Sequence, residues 1–156
     1  MKPTRGFTFI ELAVTVAIVS VLASAALPLV ELTARRGKEV ELRQALRQLR
    51  EGIDAYKQAV DDGRISRLAT ESGYPKSLDL LVSGPIDVKS PDKKKIFFLR
   101  RLPRDPFAEP GVPASETWAL RSYASAPEAP QPGDDIFDVY SRSTLSGSNG
   151  VPYRDW

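Results

Sequence analysis

Histidine and cysteine are both missing from this chain of 156 residues, and the two absences remove whole classes of chemistry. Without histidine there is no imidazole general base and no Ser-His-Asp triad. Without cysteine there is no thiolate nucleophile and no disulfide, and without either there is no Cys/His zinc site. Catalysis would have to run on carboxylates or lysine, and the chain is not expected to be an enzyme. Any soluble part must be held by packing or by a bound ion. A charge excess is lacking too: 22 basic residues face 20 acidic ones, which leaves no electrostatic footprint for nucleic acid. No internal repeat is apparent. The length suits one membrane helix and one modest domain, not two full domains.

What the chain does have is one long hydrophobic run, residues 12–30, introduced by Arg5-Gly6-Phe7-Thr8-Phe9-Ile10-Glu11. Residues 7–30 are apolar apart from Glu11 and small hydroxyl residues, long enough to cross about 30 Å of hydrocarbon. Thr8, Thr15, Ser20 and Ser24 can return their hydroxyls to helix carbonyls, so they do not oppose spanning. Glu11 is harder to place. An ionised carboxylate at the centre of a membrane helix costs roughly 2.5–3.5 kcal/mol on insertion scales, and less near its end. An ordinary secretory signal cleaved at Ala23-Ser24-Ala25, or a plain anchor, leaves that charge without a use. A helix that leaves the bilayer for a protein filament gives it one, because a buried carboxylate is tolerated when paired. Basic residues flank the run on both sides (Lys2 and Arg5 before it, Arg35, Arg36 and Lys38 after it), so charge does not fix the orientation.

Beyond the run, Leu42, Leu46, Leu49, Ile53, Tyr56 and Val60 recur every three or four residues, with Ala45 and Ala59 widening the stripe. This predicts an amphipathic helix packed on its own domain's sheet, under three heptads long. Glu39/Arg43, Arg47/Glu51 and Arg50/Asp54 are each four apart and are expected as weak surface pairs on the opposite side. Gly63 is the expected stop after Asp61-Asp62.

The remainder reads as a small head. Tyr74-Pro75 introduces a short Leu-rich helix, and Ile96-Phe97-Phe98-Leu99 reads as a buried run. Two prolines stiffen Leu102-Pro103-Arg104-Asp105-Pro106-Phe107. Residues 117–123 and 135–141 are the strand candidates. Asp134 and Asp135 read as a solvated turn, and the three lysines 93–95 as a solvated loop. Tyr153 and Trp156 are expected to pin the Ser/Gly-rich tail. The fold class is α+β: a long N-terminal helix laid on a small antiparallel sheet.

The Gly6-Phe7 junction with Glu11 resembles the leader of the type IV pilin-like superfamily. Together with Gly73-Tyr74-Pro75, the Leu102–Phe107 loop and Phe137-Asp138-Val139-Tyr140-Ser141, the chain most resembles the major pseudopilin of type II secretion. The resemblance implies a pilin/pseudopilin fold in four parts: a leader over residues 1–6, a membrane and fibre-core helix over 7–30, its amphipathic continuation over 31–62, and a periplasmic head over 63–156. It implies cleavage between Gly6 and Phe7 by a prepilin peptidase and N-methylation of Phe7. Glu11 would then meet the Phe7 amine of a neighbouring subunit, and Pro28 would kink the helix. Removing Lys2 and Arg5 with the leader would leave 20 basic residues against 20 acidic ones.

The implied location is the bacterial inner membrane, as a single-pass protein with its C-terminal domain in the periplasm. The implied partners are further copies in a helical fibre, other pseudopilins and an inner-membrane secretion or pilus assembly platform. Major pseudopilins also bind calcium in the loop after the final Tyr-Ser. Here residues 142–149 contain no carboxylate, so that site is not carried over. Asp138 and Asp155 flank the loop and could serve calcium only if it folds back. Two alternatives stay open: a type IV pilus subunit or minor pilin, and a soluble secreted protein released by an ordinary signal peptidase.

Overall fold

The computed structural model describes residue 6 and residues 8–156, with the side chains of 25–29 and 31 left outside the description. Lys2, Arg5 and Phe7, and the side chain of Pro28, therefore lie outside the described residues. One helix, α1, runs over Phe9–Asp61 (53 residues). By its contacts the chain forms two units, Met1–Gly37 and Lys38–Trp156, and α1 contributes to both.

Among the described residues of the first unit, α1 has no core. Phe9, Leu12, Val16, Val19 and Leu22 are all more than half exposed, and Ile10, Val14, Ile18 and Val21 expose the other sides. A helix apolar all round needs a surrounding apolar medium or partner. The hydroxyls behave as expected: Thr15, Ser20 and Ser24 each donate to the carbonyl three or four residues back at 2.8 Å. Among the described residues no helix is long and apolar enough to cross a membrane. The described part of the expected span, residues 8–24, is shorter than the roughly 20 residues a crossing takes, and residues 25–29 lie where the side chains are not described.

The second unit is built on the amphipathic part of α1. Leu42, Leu46, Leu49 and Ile53 are buried to 2% exposure or less, and Tyr56 and Val60 follow them on the same face. At the far end Gly63 takes φ 69°. Its N–H donates to Val60 O while the Arg64 N–H donates to Ala59 O, both at 2.9 Å. This is a Schellman stop, which glycine supplies without steric cost.

Strands β1 (Trp118–Arg121) and β2 (Asp138–Ser141) form a two-stranded antiparallel sheet, with Trp118 opposite Ser141 and Arg121 opposite Asp138. Both fall inside the predicted segments. Trp118 and Val139 are fully buried against the α1 stripe. A four-residue helix α2 (Leu80–Ser83) buries Leu81 in the same core. The 96–99 run departs from expectation. It is not buried throughout: Phe97 is 65% exposed while Ile96, Phe98 and Leu99 pack at the core's edge. An apolar run gives no direction by itself, and here the backbone bonds of Phe98 and Leu99 to Leu81 O set it.

Candidate functional site

The N-terminal junction carries the first candidate set. Thr8 stands immediately before α1, and Glu11 is the acidic residue of its first turn. The Glu11 N–H donates to Thr8 Oγ1 at 3.3 Å, and the Thr8 N–H donates to Glu11 Oε2 at 3.5 Å. This is a reciprocal capping box, Thr-x-x-Glu, which satisfies two of the helix's otherwise orphaned donors. Thr8 therefore caps the helix and does not return its hydroxyl to a carbonyl as Thr15 does. Thr8-x-x-Glu11 directly before an apolar run is the sequence signal of such a box. Gly6 is exposed, and no Cβ placed there would meet a neighbour within 4 Å.

The second set surrounds the tail, and here charged residues of α1 turn inward. Glu39, expected as half of a surface pair with Arg43, is only 3% exposed. Its carboxylate accepts from the Ser148 N–H at 2.8 Å, from Ser148 Oγ at 2.6 Å and from the Tyr153 hydroxyl at 3.0 Å. Arg43 lies over the Trp156 ring at 4.2 Å. Arg50 leaves Asp54 and donates to Asp138 Oδ1 at 2.8 Å, Trp156 O at 2.8 Å and Val139 O at 3.3 Å. Position along a helix marks a solvent face only until a distant segment covers it, and no local signal announces such a segment. The aromatics do pin the tail: Tyr153 is fully buried, stacked on Phe107 at 4.2 Å and edge-on to Trp156.

Asp138 and Asp155 line one small pocket, in the company of Arg50, Arg121 and Arg154. Asp138 is engaged by Arg50 and, at 3.5 Å, by Arg121, while Asp155 sits 3.4 Å from Arg154. No group of three or more carboxylates able to hold an ion occurs among the described residues. The donor set does not fit calcium, which takes six to eight oxygens, carboxylates among them.

Elsewhere Asp105, in the two-proline loop, is 2% exposed. It accepts from the Ser141 hydroxyl at 2.5 Å and from the Phe107 N–H at 2.8 Å, so it ties the loop to β2. Asp135, expected in a solvated turn, accepts from the Tyr123 N–H at 2.8 Å and from the Ser72 hydroxyl. An open cleft of about 930 Å³ lies between Tyr56, Tyr74 and Tyr123. Its Glu71 and Lys76 form a 2.6 Å ion pair, which lowers the pKa of the carboxyl and raises that of the ammonium. Burial pushes the Tyr56 and Tyr74 hydroxyls up. Ser72 and Asp135, joined by the hydrogen bond above, also line this cleft.

Geometry thus leaves a capped, apolar helix start with an acid in its first turn as the functional candidate. Residues 1–27 match the family model described as the prokaryotic N-terminal methylation motif. The chain carries a type IV pilin-like leader. No curated protein and no solved structure matches. A pilin-like leader implies processing by a prepilin peptidase and assembly into a pilus-like polymer. The match ends at residue 27, so it supports the type IV pilin-like superfamily without choosing between pilus and pseudopilus.

Proposed function

We propose that this chain is a pseudopilin: a structural, non-enzymatic subunit of a short periplasmic fibre that drives type II protein secretion. The methylation-motif match over residues 1–27 carries the proposal, and the all-round apolar surface of α1 in the first unit supports it. In this reading residues 1–6 are removed at Gly6-Phe7 and Phe7 is methylated. Residues 7–30 hold the subunit in the inner membrane and later pack in the fibre core, with Pro28 loosening the helix. Residues 31–62 continue it towards the head, residues 63–156. Glu11 exchanges its capping partner Thr8 for the Phe7 amine of a neighbour, which neutralises the charge and fixes the axial register. Repeating that heterologous contact gives an open filament. Other pseudopilins and the inner-membrane platform are the remaining partners. The choice of secretion over a pilus rests on the downstream motifs at Gly73-Tyr74-Pro75, Leu102–Phe107 and Phe137–Ser141.

Intact-mass and N-terminal analysis of the protein purified from membranes tests the reading. The expected mature chain begins at Phe7 with one added methyl group. A chain that begins near Ala26 and is recovered in soluble form overturns it in favour of ordinary signal cleavage.

A further inference from the structure

Residues 142–156 contribute one acidic residue, Asp155, and no carboxylate before it, yet they are tied down along their length. The tail's tightest fixings come from α1. Glu39 receives three hydrogen bonds from Ser148 and Tyr153, and Arg50 donates to Trp156 O, Val139 O and Asp138. The two residues stand about three helical turns apart, so they share one face. Arg43 lies between them in sequence and covers Trp156. Trp156 in turn packs over Gly147, where a Cβ would collide with its indole.

We propose that Glu39 and Arg50 form a side-chain clamp that closes the tail onto α1, in the role that calcium fills in the major pseudopilins, so that the head folds without the metal. The chemistry is a division of the ion's work. A bound cation would gather a carboxylate and backbone carbonyls at one point. Arg50 gathers the Asp138 carboxylate, the Val139 carbonyl and the backbone oxygen of Trp156 with a fixed planar fork. Glu39 supplies from the helix the carboxylate that the loop lacks, and turns the loop's own donors inward. A guanidinium seated on Asp138 also repels a divalent cation from the one carboxylate that borders the loop on the strand side. The clamp stands on contacts within the second unit, Lys38–Trp156; only its contrast with calcium rests on the pseudopilin reading.

Amide hydrogen exchange and thermal unfolding of the full-length protein in detergent test the clamp. Slow exchange at 145, 147 and 153, whose N–H groups are bonded within the tail, and a melting temperature equal in excess calcium and in chelator are expected. Arg50→Met should speed exchange at these amides by about tenfold or more, the scale of a lost charge-assisted hydrogen bond, and calcium should not restore protection. Arg50→Lys keeps the charge but loses the fork, and Glu39→Gln keeps the shape but loses the charge. Both are expected between wild type and Arg50→Met, and they carry the test if the methionine variant fails to fold. A melting temperature raised by calcium in the wild type, or tail exchange unchanged in all three variants, overturns the clamp. Because these readouts concern the tail alone, a mature chain beginning at a residue other than Phe7 would remove the pseudopilin reading and leave the clamp standing.

Discussion

Leu22 and Leu49 lie on the same helix and differ completely in fate: the first is 65% exposed and the second has no exposed surface. The first unit has apolar residues on every side and buries none of those described. The second has apolar residues on one stripe and buries all of it. Hydrophobic content therefore does not make a core; a one-sided pattern with a chain segment to cover it does. The uncovered unit is where an assembly function can reside, because its apolar surface is still available.

The sharpest way to break this comparison is at Glu11. Gln serves as well as Glu at the third position of a capping box, so Glu11→Gln preserves the helix start and removes only the charge. Complete loss of fibres with normal membrane insertion is expected, scored by microscopy of sheared cells and by fractionation. Fibres at wild-type abundance would reduce Glu11 to a cap. Next in size, Trp118→Ala removes the fully buried ring at the start of β1 and its hydrogen bond to Pro103 O, and should cost the head about 3–5 kcal/mol in denaturant unfolding.

The matched leucine pair sharpens the contrast. Leu49→Ala should cost about 2–5 kcal/mol, whereas Leu22→Ala should leave the head's melting temperature unchanged and weaken assembly instead. A fall in head stability from Leu22→Ala would mean that the first unit is not the free surface described above.

The smallest effect is electrostatic and confined to the head. Arg64 donates to Asp87 Oδ2 at 3.0 and 2.8 Å and holds that carboxyl below the usual aspartate range. A depressed pKa in the folded state gives stability that is present above the ordinary value, about 3.9, and is lost as the pH falls through the lowered one. Asp87→Asn should remove this small part of the acid-side loss, seen by comparing melting temperatures at neutral pH and near pH 3, and should leave assembly unaffected.

Much of the head was legible because its signals are local. The stripe from Leu42 to Val60, the Gly63 stop, both strand segments and the pinning aromatics could each be read from a short window. The inward turn of Glu39 and Arg50 could not. Their partners, Ser148 and Trp156, lie 109 and 106 residues away, and spacing of four suggested surface pairs instead. Phe97 failed differently, because an unbroken apolar run does not say which of its members faces out. At the junction, the Thr8-x-x-Glu11 spacing is a local signal of the capping box, as legible as the charge of Glu11 itself.

Those separations of 106 and 109 residues also set an order of events. Translation at about 5–20 residues per second places roughly 5–20 s between the making of Glu39 and the arrival of Ser148. During that interval the face of α1 that will be covered by the tail has nothing to close it. The head is therefore a late-completing structure, whose closure waits for residues 148 to 156 to reach α1.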